Sequence, residues 1–343
     1  MKVFVTGVEG YIGALLAPAL VQRGFDVVGT DTGYYRDGWL YSDPRIKSFP
    51  LFVNRDLRQI TENDLRGFDA VVHLAELSND PLGQNKPEVT FKINHQGSVE
   101  LARKAKAVGV KRFVYTSSCS VYGVGSGVFL NEQSPVNPQT TYAECKVRVE
   151  RDVGKLADDS FSPVFLRNAT AYGPSPRMRF DIVLNNLSAL AWTTKKIAMT
   201  SDGTPWRPLV HVRDICDAIA CVLEAPREAV HGQIFNVGDD RDNYRVREIA
   251  EIVAREFPGC EVTFGPGGGD NRSYRVSFEK ISTRLPGFRC QRNAAIGARE
   301  LRETYERINM SWDIFEFRAF TRLKQLQYLI QTRQIDDQLF WKS

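Results

Sequence analysis

A chain of 343 residues, 43% hydrophobic and 25% charged, has the composition of a globular protein with enough apolar side chains for a large core. Its net charge of +4 comes from scattered basic residues, without the concentrated basic stripe that a nucleic-acid surface needs. No apolar run approaches the roughly 18 residues of a membrane span, and Cys119, Cys145, Cys216, Cys221, Cys260 and Cys290 form neither a CxxC pair nor a metal-ligand spacing.

No metal site, nucleic-acid partner or membrane partner is therefore expected, and the cysteines read as reduced and structural. The sequence opens straight onto an apolar strand with no signal-peptide layout, so a cytoplasmic location is expected.

The first half alternates short β-branched runs with helical patterns, which predicts a parallel sheet covered by helices. Strands are expected at residues 3–6, 26–30, 70–74, 112–115 and 163–167, and helices at about 11–23, 99–108 and 141–157. Pro18 should bend or loosen the first helix. Between the first strand and that helix runs Thr6-Gly7-Val8-Glu9-Gly10-Tyr11-Ile12-Gly13. Glycines at these three positions allow a tight turn, close approach of backbone to a pyrophosphate, and close helix–strand packing. The helix N-terminus then presents N–H groups and a positive dipole end to phosphates. Gly7, Gly10, Tyr11, Ile12 and Gly13 are thus candidate dinucleotide-binding residues. The second strand ends at Asp31, spaced to accept both hydroxyls of an adenosine ribose and to repel a 2′-phosphate. That favours NAD over NADP, with Arg36 nearby as a complicating cation. Asp56 and Leu57, after a further strand, are candidates to border the adenine.

Thr116-Ser117-Ser118 follows the apolar run Phe113-Val114-Tyr115, and Tyr142 and Lys146 lie four apart (YxxxK) on one helix face. A phenol with a pKa of about 10 is a poor base, but a nearby ammonium and a positive nicotinamide ring both stabilise its phenolate. In this pattern Tyr142 moves a hydroxyl proton, Ser118 hydrogen-bonds the same oxygen, and Lys146 also holds the nicotinamide ribose. Beyond about Pro174 the pattern is less regular and includes a glycine-rich turn at residues 265–269, which reads as a smaller lobe on the sheet's carboxyl edge. The last stretch, to Trp341, spaces Phe320, Leu323, Leu326, Leu329 and Ile330 along one helical face. It is expected to pack on its own lobe or on a partner subunit.

These motifs resemble the extended short-chain dehydrogenase/reductase family, in its nucleotide-sugar epimerase/dehydratase branch. The likeness rests on TGxxGxxG at Gly7, Gly10 and Gly13, on His73-Leu74-Ala75, on Asn94 with Gly97, and on Ser117-Ser118 before Val121-Tyr122-Gly123. It continues through Tyr142-Ala143-Glu144-Cys145-Lys146, Leu166-Arg167-Asn168 with Tyr172-Gly173-Pro174, Arg207-Pro208-Leu209-Val210-His211-Val212 and Phe235-Asn236-Val237-Gly238. The resemblance implies an α/β fold, a Rossmann-like doubly wound parallel sheet over residues 1–175 with a strand returning from about 208–240. Residues 176–343 would form a mixed α/β substrate-binding lobe with a helical tail. It implies NAD as cofactor and a nucleoside-diphosphate sugar as substrate. It places Leu74 and Ala75 at the pyrophosphate crossing, Asn94 near the nicotinamide, and Asn168 and Asn186 on the substrate. Arg207, with Arg272 as a second candidate, falls on the substrate diphosphate, to which a planar guanidinium donates two parallel hydrogen bonds. A homodimer through the helices after Asn94 and around residues 142–157 is also implied.

Departures from the branch's patterns narrow the reaction. Its 4,6-dehydratases place acidic groups just after the catalytic Ser/Thr, where this chain has Cys119 and Ser120. The glutamate usual in the same segment of UDP-glucuronate decarboxylases is absent too. Relatives that epimerise at C3 and C5 carry a cysteine base two residues after the serine. Cys119 follows Ser118 directly and faces the other side of an extended segment, unless a bulge reverses it, so a buried neighbour is the better reading. What remains is chemistry needing only Ser118, Tyr142, Lys146 and NAD. A nucleotide-sugar epimerase acting at C4 is expected, similar to the UDP-galactose 4-epimerases. A 4-ketoreductase of the same family is the alternative, and a non-catalytic dinucleotide-binding protein a more distant one. Glu76, Ser78 and Asn79 form a polar loop near the expected sugar pocket, read either as hydroxyl contacts or as helix caps.

Overall fold

The computed structural model describes residues 1–44, 50–78, 86–125, 127–267 and 272–342; Asn79 and Gly268-Gly269 lie outside them. Seven parallel strands, β1 (Lys2–Thr6), β2 (Asp26–Asp31), β3 (Leu51–Asn54), β4 (Ala70–His73), β5 (Arg112–Ser118), β6 (Ser162–Asn168) and β7 (Ile234–Val237), form the central sheet. Their spatial order is β7-β6-β5-β4-β1-β2-β3. Strand order reverses between β1 and β4, and at such a switch point the carboxyl ends part to leave a crevice.

The longer helices are α1 (Gly13–Gln22), α2 (Ser98–Ala107), α3 (Thr141–Gly154), α4 (Val183–Thr194), α5 (Val212–Glu224), α6 (Val246–Glu256), α7 (Ala294–Arg307) and α8 (Arg322–Gln331). Because side chains alternate along a strand, Val3 and Val5 enter one core while Phe4 enters the other. Leu16 and Leu20 of α1, with Ile215 and Ile219 of α5, cover the first face. Leu101 and Ala105 of α2, with Val149 and Val153 of α3, cover the second. Helix α1 runs on through Pro18. All six cysteines are free, and Cys119, Cys145, Cys216 and Cys221 are buried.

In the lobe, α4, α6 and α7 pack together. Trp206–His211 does not join the central sheet; it pairs with Thr170–Tyr172 and Asn243–Arg245 in a separate three-stranded sheet. Of the region expected to return, only β7 enters the main sheet. The tail also differs from a single helix reaching Trp341. Helix α8 stops at Gln331, Arg333 takes a left-handed φ of 58°, and the chain folds back to bridge Ile335 with Trp341. Leu326, Leu329, Ile335 and Leu339 then pack on Tyr34, Leu77, Val89 and Ile93, so the tail covers the nucleotide-binding half rather than the lobe it leaves. Among the described residues no helix is long and apolar enough to cross a membrane.

His73 at the end of β4 is fully buried, with Thr6 Oγ1 at 2.7 Å from Nδ1 and Ser98 Oγ at 2.7 Å from Nε2. Ser98 donates its own proton to Asn94 O at 2.6 Å, so it accepts from Nε2–H, which assigns the neutral tautomer. Burial, with Lys146 nearby, pushes the imidazole pKa down from 6.5 to about 3. The unfolded chain protonates this ring near pH 6.5 and the folded chain does not. Its stabilisation is therefore complete above that pH and declines as pH falls toward 3. Between pH 6.5 and 4.5 the protein should lose about 2 kcal/mol more stability than a His73→Gln variant, measured by urea unfolding at each pH.

Candidate active site

A cleft of about 1100 Å³ lies at the switch point, between the carboxyl ends of the strands and the lobe. Its floor is the glycine turn. Gly7 has a φ of 77°, and a Cβ there would come within 2.9 Å of Ala75 N; a Cβ on Gly13 would come within 2.1 Å of Gly7 O. No side chain caps α1; the N–H groups of Ala14, Leu15 and Leu16 already donate to Gly10 O and Ile12 O, so it is the turn ahead of them, with the positive end of the helix dipole, that meets the cleft. This cradle fits a dinucleotide diphosphate. Tyr11 and Ile12 line it too, but the Tyr11 phenol is committed elsewhere. It donates to Gly173 O at 2.6 Å and accepts from Asn185 Nδ2 at 3.2 Å.

Asp31 accepts backbone N–H bonds from Glu9 at 3.0 Å and Gly33 at 2.8 Å. Burial pushes its carboxyl pKa above the ordinary value, with those N–H bonds opposing. Such a carboxylate has lone pairs left for ribose hydroxyls. Asp56 also lines the cleft, but both its oxygens hold Arg58, at 2.8–2.9 Å. Leu57 lines the cleft beside it. Asn94 is buried in a π-helical stretch, Phe91–Gly97, where its amide clamps the N–H and C=O of Leu77 at 2.9 and 3.0 Å. It positions the segment after Leu74 and Ala75, which do line the cleft.

Tyr142 and Lys146 occupy the first turns of α3, which Thr140 caps by accepting from Ala143 N at 3.2 Å. Lys146 is only 3% exposed, and its Nζ lies 5.3 Å from the centre of the Tyr142 ring. The ammonium donates to Thr116 O and pairs with Glu76 Oε2 at 2.6 Å. Glu76 in turn accepts from Tyr115 OH at 2.5 Å. Burial alone would lower the Lys146 pKa, but Glu76 more than offsets it and the pKa is raised. Ser118 ends β5, and its Oγ accepts from Ser120 N at 3.1 Å, which leaves its proton to donate into the cleft. Cys119 is buried beside it, donates to Arg167 O at 3.1 Å, and is pushed well above the ordinary thiol pKa by burial. It is no base.

At the lobe end, Asn168 is 8% exposed and its Oδ1 has no hydrogen-bond partner, a buried acceptor on the cleft wall. Asn186 donates to Phe180 O at 2.9 Å, and Arg207 donates to Trp206 O at 2.8 Å and to Arg272 O. All four line the cleft. Residues that sequence reasoning left unassigned also line it, among them Arg179, Asp181 and Arg322. Arg179 Nε pairs with Asp181 Oδ1 at 2.8 Å and its NH1 donates to Ser78 Oγ at 3.2 Å. The two opposite charges two residues apart, Arg179 and Asp181, were the available signal. Arg322 had none, because its helix shows only apolar periodicity.

The family described as the NAD dependent epimerase/dehydratase family matches residues 3–238. The chain is 33% identical over 271 residues to a UDP-glucose 4-epimerase of Mycolicibacterium smegmatis, covering 74% of this chain and 82% of the relative. It is similar in structure to an NAD-dependent NDP-hexosamine 5,6-dehydratase of tunicamycin biosynthesis, with TM-score 0.78 and 23% identity over 89% of this chain and 98% of the other. MoeE5 in complex with UDP-glucuronic acid and NAD superposes with TM-score 0.76 and 25% identity, over 90% of this chain and 99% of the other.

The Lys146 ammonium depends on Glu76, since removing one partner of a buried ion pair leaves the other charge uncompensated. Glu76→Gln should destabilise the protein by about 3 kcal/mol in denaturant unfolding. Adding Lys146→Met should recover part of that loss, and a further additive loss in the double variant would contradict the pairing.

Proposed function

The chain belongs to the NAD-dependent epimerase/dehydratase family, and from that premise we propose that it is a nucleotide-sugar epimerase acting at C4. The observation that carries this reading is what stands around Ser118. A 4,6-elimination needs one group to take a proton from carbon and another to protonate the departing hydroxyl. Cys119 is buried against Arg167 O, and Ser120 is a plain hydroxyl. The cleft carboxylates Glu76 and Asp181 are tied up as well, Glu76 by Lys146 and Tyr115 and Asp181 by Arg179. An epimerase needs none of these.

Gly7, Gly10, Gly13, Asp31 and Ala75 hold the NAD, which supplies a reversible two-electron acceptor beside the sugar when bound. Tyr142 takes the proton of the C4 hydroxyl, Ser118 donates a hydrogen bond to the same oxygen, and Lys146 stabilises the phenolate by its charge. The resulting 4-keto sugar turns in the cleft, and Tyr142 returns the proton to the oxygen of the inverted centre. The net change is stereochemical. In this reading Arg207 and Arg272, both on the cleft wall, bind the diphosphate of the substrate, and the Asn168 acceptor takes a sugar hydroxyl or the ligand's amide-like donors. The names of the relatives, and the UDP-sugar held by MoeE5, support a UDP-linked hexose or uronate as substrate.

Incubation with UDP-glucose, UDP-galactose and UDP-glucuronic acid, followed by mass and by NMR at each ring carbon, should show inversion at C4 without change of mass. Loss of water would overturn the reading, and a requirement for added reduced dinucleotide would turn it into a 4-ketoreductase. Tyr142→Phe should lower kcat by about 10²- to 10⁴-fold while the purified protein still carries its dinucleotide. Full activity in that variant would refute the assigned base. A homodimer built on α2 and α3 is part of the proposal, and sedimentation as a monomer alone would remove it.

A further inference from the structure

One wall of the cleft comes from the tail. Arg322, the first residue of α8, is 4% exposed and lines the cleft together with Thr321 and Leu323. Its backbone N–H donates to Asp181 Oδ2 at 3.2 Å, but the Asp181 carboxylate is paired with Arg179, not with the Arg322 side chain. The Arg322 guanidinium lies 3.9 Å from the centre of the Tyr35 ring and forms no hydrogen bond or ion pair among the described residues. Burial pushes its pKa down to about 10, with Arg179 adding to the fall and Tyr35, Asp181 and Asp31 opposing it. A desolvated guanidinium that Asp181 and Asp31 attract only at a distance, without a direct ion pair, is costly to keep, and a ligand oxyanion lowers the cost.

The tail also fixes where this cation stands. Gln325 Nε2 donates to Tyr34 O at 2.9 Å, Trp341 Nε1 donates to Thr32 O at 2.7 Å, and Tyr34 OH donates to Leu339 O. These bonds strap the Thr32–Tyr35 segment, which directly follows the ribose carboxylate Asp31, beneath α8. The guanidinium is thereby held at the adenosine side of the cleft.

We propose that Arg322, backed by Arg179, is a cofactor-binding residue that holds an anionic oxygen of the NAD diphosphate, so that the C-terminal tail completes the dinucleotide site. A uronate carboxylate on the substrate has the same chemistry, but the strapped Asp31–Tyr35 segment selects the diphosphate. The assignment rests on NAD as cofactor and is independent of the reaction at C4.

The test is calorimetric titration of the full chain, freed of endogenous dinucleotide, with ADP-ribose, adenosine, UDP and UDP-glucuronic acid. Arg322→Met should weaken ADP-ribose by about 10- to 100-fold and leave adenosine and UDP unchanged, with Arg322→Lys intermediate. An equal loss for adenosine would mean that Arg322 only shapes the pocket. A loss confined to UDP-glucuronic acid would move the site to the substrate, and unchanged ADP-ribose affinity would remove it. Thermal unfolding of each variant separates these outcomes from a folding defect, because Arg322→Lys keeps the buried stem and charge.

Discussion

An ammonium held out of water at Lys146 needs negative partners close by, and much of the surrounding architecture answers that need. Glu76 and Thr116 O supply them, and the Tyr142 ring stands beside them. Glu76 is held by Tyr115 OH, and Ser98 Oγ approaches it at 3.4 Å. Ser98 accepts from His73, which stays neutral because it is buried near the same lysine. His73 in turn meets Thr6, whose hydroxyl also receives the N–H groups of Leu74 and Ala75 at 3.2 Å. A single buried polar path thus joins the Tyr142–Lys146 pair to the first residue of the glycine turn. Low dielectric makes every member of that path strongly dependent on the others.

What the chain encodes locally was legible in it. A strand–turn–helix with three glycines, a carboxylate at the end of the next strand, and two side chains one helical turn apart are set by spacings of a few residues. The structure puts all of them on one cleft. What was missed depends on segments far apart in the chain. Glu76 read as a loop residue because nothing near it says that Lys146, seventy positions on, will lie 2.6 Å away. Asn94 matched a motif, but nothing in that motif announces the π-helical stretch in which its amide holds Leu77. The apolar spacing of the tail indicated a buried helix without saying which surface it buries. Only the Tyr34 and Ile93 contacts decide that. Strand β3, whose Leu51, Phe52 and Val53 are exposed at the sheet edge, lacks the burial pattern that marks the inner strands.

The fold by itself does not choose the reaction, since a dehydratase superposes on the chain with TM-score 0.78. The choice falls to a few positions beside Ser118. There the chain offers a thiol whose proton is donated to a backbone carbonyl and a hydroxyl that follows it, while the cleft carboxylates Glu76 and Asp181 are paired with Lys146 and Arg179.

The Tyr11 phenol, bonded to Gly173 O and to Asn185, together with Ser175 Oγ on Tyr11 O at 2.7 Å, ties the glycine turn to the crossover where the chain enters the lobe. Gly173 sits there at a φ of 106°, with His211 so close that a Cβ would lie 2.3 Å from its Nε2. A jaw-like opening at this joint would have to break these hydrogen bonds and leave their buried partners unsatisfied, so they restrain hinge motion there.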